Sequence, residues 1–371
     1  MKKRLLEFLN TAFEIEDEIS KFENSMPKLY GPAVNPVSSN LIVLENDCIR
    51  SAIGVYNGSL QLGNSLLQYQ GIGNVAVDAA FRNQGYMQSG MQKVIEQAVS
   101  DEMDFLFLGG QRQRYQNFGF EHLGMEYQIS LTQENLWKAF RNIPYEAFEI
   151  CEVNPCDTNL IEKMYHLHEQ KPLRSHRTLD LFYDTLCTWS VKPKAFFHHG
   201  EFAGYYTGDL QELSFVNPSD FPNFIRTYMK DKEEVEFHIM PWNHELLDIV
   251  CEICEDVELC ENEMFHIINY KRVLHAFLTF CAEYYGLADG EQNFLIHGFF
   301  QDFCLHVRVQ DNIVTINDYD QDSDVNSVLE CSHLEAMQLF FGIYSKKRLQ
   351  LKPNIRSWFP LPLYIDTADQ V

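Results

Sequence analysis

The sequence predicts a mixed α/β, α+β protein of three units in series, on three observations. Val75 to Phe120 reads as strand, loop, helix, strand and aromatic turn; the patterning changes after Thr132; and from His266 an apolar helix precedes strand-like alternation and a further helix. The expected divisions are 1–131, 132–265 and 266–371. With 371 residues and 46% hydrophobic content, the chain can bury a large core spread over two or three domains.

The first segment, MKKRLLEFLNTAFEIEDE, begins like a leader peptide, but Glu7, Asn10, Glu14 and Glu16 interrupt every apolar run and favour an amphipathic helix. No stretch approaches the ~20 apolar residues of a membrane span. Leu67, Tyr69, Val75 and Val77 fit an extended segment. After a loop with Arg82 and Gly85, Tyr86, Met87, Met91, Val94, Ile95 and Ala98 recur at helical spacing, so a helix starts near Gln84 to Tyr86. A helix N-terminus has unpaired amide N–H groups and partial positive charge, which suit an anion. Gly85 lets that anion approach the backbone, and Arg82 adds a charge-assisted contact. An Arg and a Gly before a helix are by themselves an ordinary turn. Here an apolar strand, Phe105 to Leu108, completes a strand, loop, helix and strand unit.

Beyond Thr132, Lys194 to Thr207 reads as a hairpin around His199-Gly200-Glu201, and Glu234 to Ile239 as a strand. No glycine occurs from Asp209 to Tyr285, so this unit has no second loop of the same kind. Cys251 and Cys254 form C-x-x-C with Cys260 following, but a zinc site there has only the distant His238, His244 and His266 to draw on. Leu246, Leu247, Ile249, Val250 and Ile253 surround the pair at helical spacing, which favours a core helix. His166/His168 and His198/His199 are no better placed as ligands. In the last unit, Val273, Leu274, Phe277 and Leu278 mark a helix, and Phe303 to Val309 alternates. Val314 to Ile316 follows a turn at Asp311-Asn312, and Ser327 to Glu330 precedes a helix from His333 to Tyr344. Lys346, Lys347, Arg348, Lys352 and Arg356 read as a solvated stretch, with anion binding as the alternative. The tail, IRSWFPLPLYIDTADQV, is extended and rich in large apolar side chains.

Fifty-three acidic against 29 basic residues give a formal charge of −24, which disfavours nucleic acid and either draws cationic amines or simply confers solubility. Ten cysteines without a repeated framework suit reduced thiols and a cytoplasmic setting.

The loop reads Arg82-Asn83-Gln84-Gly85-Tyr86-Met87, and it lies between Val75-Ala76-Val77 and Tyr115-Gln116-Asn117-Phe118-Gly119-Phe120. Together these segments resemble the GCN5-related N-acetyltransferase (GNAT) family, whose signature is Q/R-x-x-G-x-G/A. Asn83 stands where glycine is frequent, and Met87 fills the last small position. A larger residue there is familiar in the Eis-like (enhanced intracellular survival) branch, which has two GNAT-like domains, the second degenerate, and a sterol-carrier-protein-like C-terminal α+β domain. The resemblance implies acetyl-CoA as co-substrate and no metal. Val75, Ala76 and Val77 would pair with the pantetheine arm and polarise the thioester carbonyl. Arg82, Asn83, Gln84, Gly85, Tyr86 and Met87 would wrap the pyrophosphate. Tyr115 would protonate the departing thiolate, a transfer that a phenol of pKa about 10 and a thiol of about 8.5 permit; the alternative is a packed aromatic with a satisfied hydroxyl. The carboxylate of Val371, at the end of the tail, would assist deprotonation of the amine, with Asp369 the nearest alternative carboxylate and a frayed end the plain reading.

The expected function is acetyl transfer to a primary amine in a ternary complex. The acceptor would be a small cationic amine, aminoglycoside- or polyamine-like, or a lysine or peptide amine. The alternative is a catalytically idle acyl-CoA- or lipid-binding module. Neither nucleic acid nor membrane is an expected partner; homo-oligomers, hexamers in the branch, are expected by resemblance.

Overall fold

A computed structural model describes residues 1–254, 256–319 and 328–371. Its largest sheet has seven strands: β1 (Asn40–Glu45), β2 (Cys48–Leu62), β3 (Ser65–Val77), β4 (Phe105–Leu108), β5 (Glu121–Leu123), β6 (Leu173–Ser175) and β7 (Glu263–Ile267). The order is β1-β2-β3-β4-β7-β5, with β6 added along β2. Only β3 and β4 run parallel, joined by the helix Tyr86–Ser100, as such a pairing requires. That helix buries Met91, Val94, Ile95 and Ala98 against Ile53, Ile72, Leu106 and Leu108 of the sheet. On the opposite face lie the N-terminal helix Lys2–Ala12, with Leu5 and Leu9 buried, and the chain's last residues.

β7 threads between β4 and β5 from far along the chain. The boundary at 265/266 therefore falls inside a strand of the first sheet. The boundary at 131/132 falls at the end of the strand Glu126–Thr132, which pairs with Glu234–Ile239 and Val257–Cys260. The hairpin at His199-Gly200 forms as its turn residues predict, both at positive φ, within a four-stranded antiparallel sheet.

The last third pairs Gly290–His297, Asp302–Gln310, Ile313–Asp318 and Val328–Ser332 in one sheet under the helix Tyr270–Tyr284. Ser327, read as opening the last of these strands, lies outside the described residues. The following helix ends at Phe340, not at Tyr344. Arg348 explains the stop: buried, it gives Nε to the carbonyl of Leu339 at 2.8 Å, and its two terminal nitrogens to Ile343 and Gln338, each at 3.0 Å. Arg356 donates to the carbonyls of Arg348, Leu349 and Leu351. The basic stretch is thus largely a set of caps for orphaned carbonyls.

Candidate active site

The site begins where β3 and β4 part. They pair only from Tyr69 to Gly71 against Phe105 to Phe107, so among the described residues the β4-facing edge of β3 has no partner strand from Ile72 to Val77. The divergence is built into β3 itself. Its register against β2 slips between Ala52 and Gly54, opposite Asn74, which has φ +41°. Asn74 is buried and fixed: its Oδ1 accepts from Tyr30 Oη at 2.5 Å and Tyr56 Oη at 3.1 Å, while Nδ2 donates to Asn40 Oδ1 at 2.8 Å. Gly54 is glycine because a Cβ there would strike Asn74 Oδ1.

The free edge leads into a cavity of ≈ 860 Å³ walled by Val75, Ala76, Val77, Arg82, Asn83, Gly85, Tyr86 and Met87, with Arg114, Asn117 and Phe118 opposite. Of the six loop residues, Gln84 is off this wall. Asn83 (φ +64°) and Gly85 (φ +84°) both take the left-handed conformation, which glycine adopts freely and asparagine better than most. The departure from the family's glycine at 83 therefore keeps its backbone geometry. Gly85 caps the helix with no side chain on its first amides, and a Cβ there would meet nothing within 4 Å. Tyr86 ties the loop to β1 through Glu45 at 2.6 Å. Uncapped amides, open space and an exposed Arg82 fit a pyrophosphate.

Tyr115 sits just behind this wall, 5% exposed, with its ring against Gly110 and Phe120. Burial pushes its phenol pKa up, with Arg114 opposing, so the group holds its proton at neutral pH. Two buried histidines hold the turn from the far side. His266 Nδ1 donates to the carbonyl of Phe118 at 2.9 Å and His333 Nε2 to that of Gly119 at 3.0 Å, while Tyr270 Oη donates to His333 Nδ1 at 2.9 Å. Burial depresses both imidazoles, His333 to about 4, and keeps them neutral. Distance in sequence hides this arrangement, since His266 and His333 lie far from the turn they hold.

Val371 lies on the sheet face opposite Tyr115. A Cβ on Gly71 would come within 2.7 Å of its Cγ2, and one on Gly73 within 2.9 Å of its carboxyl carbon. The Gly71-Ile72-Gly73 segment is therefore a floor cut for the tail, a signal the sequence held unread. Behind it, Arg177 grips Asp369 with Nε and Nη2 at 2.9 and 3.0 Å, and Glu212 with Nη1 and Nη2 at 3.0 and 2.9 Å. Lys171 reaches Glu212 at 2.7 Å; Lys28 and Thr188 donate to the carbonyl of Ala368 at 2.5 and 3.1 Å. Asp369 is thus committed to Arg177 and is no free base. Burial and the Glu212 charge raise the neighbouring Asp366 to about 7.

Cys251 ends the helix His244–Cys251. Cys251, Cys254 and Cys260 are all free thiols. His198 and His199 share Glu146 Oε2 at 3.0 and 2.6 Å on the surface, so the structure brings this pair and a carboxylate within ligand spacing of one another, closer than the sequence suggests. Among the described residues, no helix is long and apolar enough to cross a membrane.

Residues 2–123 match the model of an acetyltransferase (GNAT) domain. No curated protein sequence matches the chain. Among solved structures, a GCN5-related N-acetyltransferase from Anabaena variabilis superposes with a TM-score of 0.67 at 11% identity, covering 98% of this chain and 95% of its own. Eis1 from Mycobacterium abscessus gives 0.63 at 11% identity over 98% and 96%. A probable N-acyltransferase from Enterococcus faecalis gives 0.64 at 13% over 91% and 86%. At these identities the likeness is one of fold, and it spans nearly the whole chain, while the family match fixes the part that holds the cavity. Residues 2–123 are accordingly an acetyltransferase (GNAT) domain, set in a chain whose overall fold is shared with these N-acetyltransferases.

Proposed function

We propose that the protein transfers an acetyl group from acetyl-CoA to a primary amine by direct attack, in the manner of the Eis-like branch. The observation that carries this reading is the unpaired edge of β3 running straight into an uncapped helix N-terminus. That edge suits a pantetheine amide as an added strand, and the helix end suits the pyrophosphate. The thioester would then lie near the parting of β3 and β4, with Tyr115 on one face and Val371 on the other. Attack forms the amide and breaks the C–S bond; Tyr115 gives its proton to the departing thiolate, and the carboxylate of Val371 assists removal of a proton from the incoming ammonium. The acceptor is a small cationic amine or a lysine or peptide amine. The three-part layout, with a degenerate middle unit and a carrier-protein-like last unit, belongs to the same reading.

Calorimetric titration of acetyl-CoA into the protein tests the donor site. Saturable binding that disappears in Gly85→Asp, where bulk, charge and positive φ all oppose the phosphate, is the expected result. Tyr115→Phe should then retain binding but lower amine-dependent release of CoA thiol by about 10²-fold or more. Loss of binding in neither protein, or unchanged turnover in Tyr115→Phe, would overturn these assignments.

A further inference from the structure

β7 places an acidic side chain at the parting of the strands. Met264 pairs with Leu108, so Glu263 lies opposite Gly109, the residue after β4, and a Cβ on Gly109 would be 3.5 Å from Glu263 Oε2. Alternation sets the face: Glu263 shares the side of Phe265 and Phe107, on which Val371 lies, whereas Leu108 and Met264 face the helix Tyr86–Ser100 and Tyr115. Gly71 is level with Phe107, so Gly73, with Val371 above it, is level with Gly109 across the gap. Gly109 and the adjoining Gly110 thus have Glu263 on one face and Tyr115 on the other. This geometry deepens the acetyltransferase reading and rests on it.

We propose that Glu263 binds the acceptor's ammonium and is the base that deprotonates it. R–NH₃⁺ gives one proton to the Glu263 carboxylate; the freed lone pair attacks the thioester carbonyl; the C–N bond forms as C–S breaks. The second proton leaves nitrogen for the Val371 carboxylate as the amide forms; the thiolate takes the proton of Tyr115, one of the two amine protons restores that phenol through water, and the other is released to solvent. The side chain suits the work. Burial, reinforced by Glu126, raises its pKa to about 7, against a backbone hydrogen bond from Met264. The groups around it are otherwise engaged: Glu126 lies 3.0 Å from His238 Nδ1, and Glu121 on β5 is paired with Arg112. Val371 carries a further carboxylate on this face, Asp369 behind it is paired with Arg177, and Glu261 lies toward Glu121 and Arg112. The acceptor class follows: an amine that arrives as a cation.

The test uses the full chain, with spermidine and a lysine-containing peptide as probe amines and thiol release as the readout between pH 5.5 and 9. In wild type, kcat/KM for the amine should rise through a limb near neutrality. In Glu263→Gln that limb should vanish and the rate at pH 7.5 should fall by about 10²-fold or more, with the acetyl-CoA Kd unchanged and the melting temperature no lower than that of wild type. Glu263→Asp should recover part of the rate and the limb. An intact limb in Glu263→Gln would overturn the assignment while leaving the acetyltransferase reading in place. Wild-type protein that binds acetyl-CoA but acetylates neither probe would instead count against that reading, and this inference would fall with it.

Discussion

The loop at 82–87 and the clamp around Arg177 hold the two ends of the candidate site by different physics. The loop is contiguous, exposed and shaped by backbone conformation: two left-handed residues and a helix end whose amides point outward. The clamp is buried and assembled from Lys28, Lys171, Arg177, Glu212 and the tail, residues drawn from four separate stretches of chain. A local device can be read from six letters and altered at little cost to the fold. A clamp of buried charges is invisible in any short window, and its members are interdependent.

Four changes would sharpen or break that contrast. The largest effect is expected from Arg177→Met, which leaves Glu212 and Asp369 buried without their main cation; we expect about 3–5 kcal/mol of lost stability in urea denaturation. A loss below about 1 kcal/mol would show that the clamp is no more than a surface pair. Next is His333→Phe, which orphans the carbonyl of Gly119 at about 1–3 kcal/mol and should lower kcat without changing the acetyl-CoA Kd. His333→Gln, whose amide N–H can reach the same carbonyl, should restore much of the rate. Equal rates in the Phe and Gln variants would reduce His333 to packing. Gly73→Ala should displace the end of the tail and lower kcat by about 10-fold, since the new methyl would lie 2.9 Å from the carboxyl carbon of Val371. Retained kcat would separate the tail from the chemistry.

The smallest effect concerns Asp366. Its folded pKa, about 7, stands above the unfolded value, so its contribution to stability is fully present below pH ~4 and is lost as pH rises toward 7 and beyond. Asp366→Asn, a mimic of the protonated acid, should come closest to wild type at pH 4 and be clearly the more stable of the two at pH 8.5. Thermal melts at the two pH values decide this. A variant less stable than wild type at pH 8.5 would mean that Lys171 and Arg177 hold Asp366 ionised.

What was legible in the sequence follows the same division. Val75 to Phe120, the hairpin at His199-Gly200 and the strand Glu234 to Ile239 are set by neighbours in sequence, and periodicity and turn chemistry reported them. The glycines at 71 and 73 that lie against the tail are not legible, because a missing Cβ has meaning only against a partner three hundred residues away. Arg348 looked solvated because its neighbours are lysines, yet the chain folds it under a helix end. The last unit is expected to open near His266 to Tyr270, but the structure spends Glu263–Ile267 on the first sheet, a choice of partner that the local sequence does not carry. Pairing partners are chosen by the fold, not by the strand.

The insertion of β7 also orders the birth of the protein. On the ribosome, β4 and β5 emerge long before the strand that lies between them, so the acetyltransferase sheet must wait with an open seam while the whole middle of the chain is made. Residues 2–123, cut out on their own, would keep that seam for good and offer it to any passing strand. Completion of the sheet is therefore a late event of synthesis, reached when Glu263–Ile267 takes its place and brings with it, in the same strand, the histidine that holds the 118–119 turn.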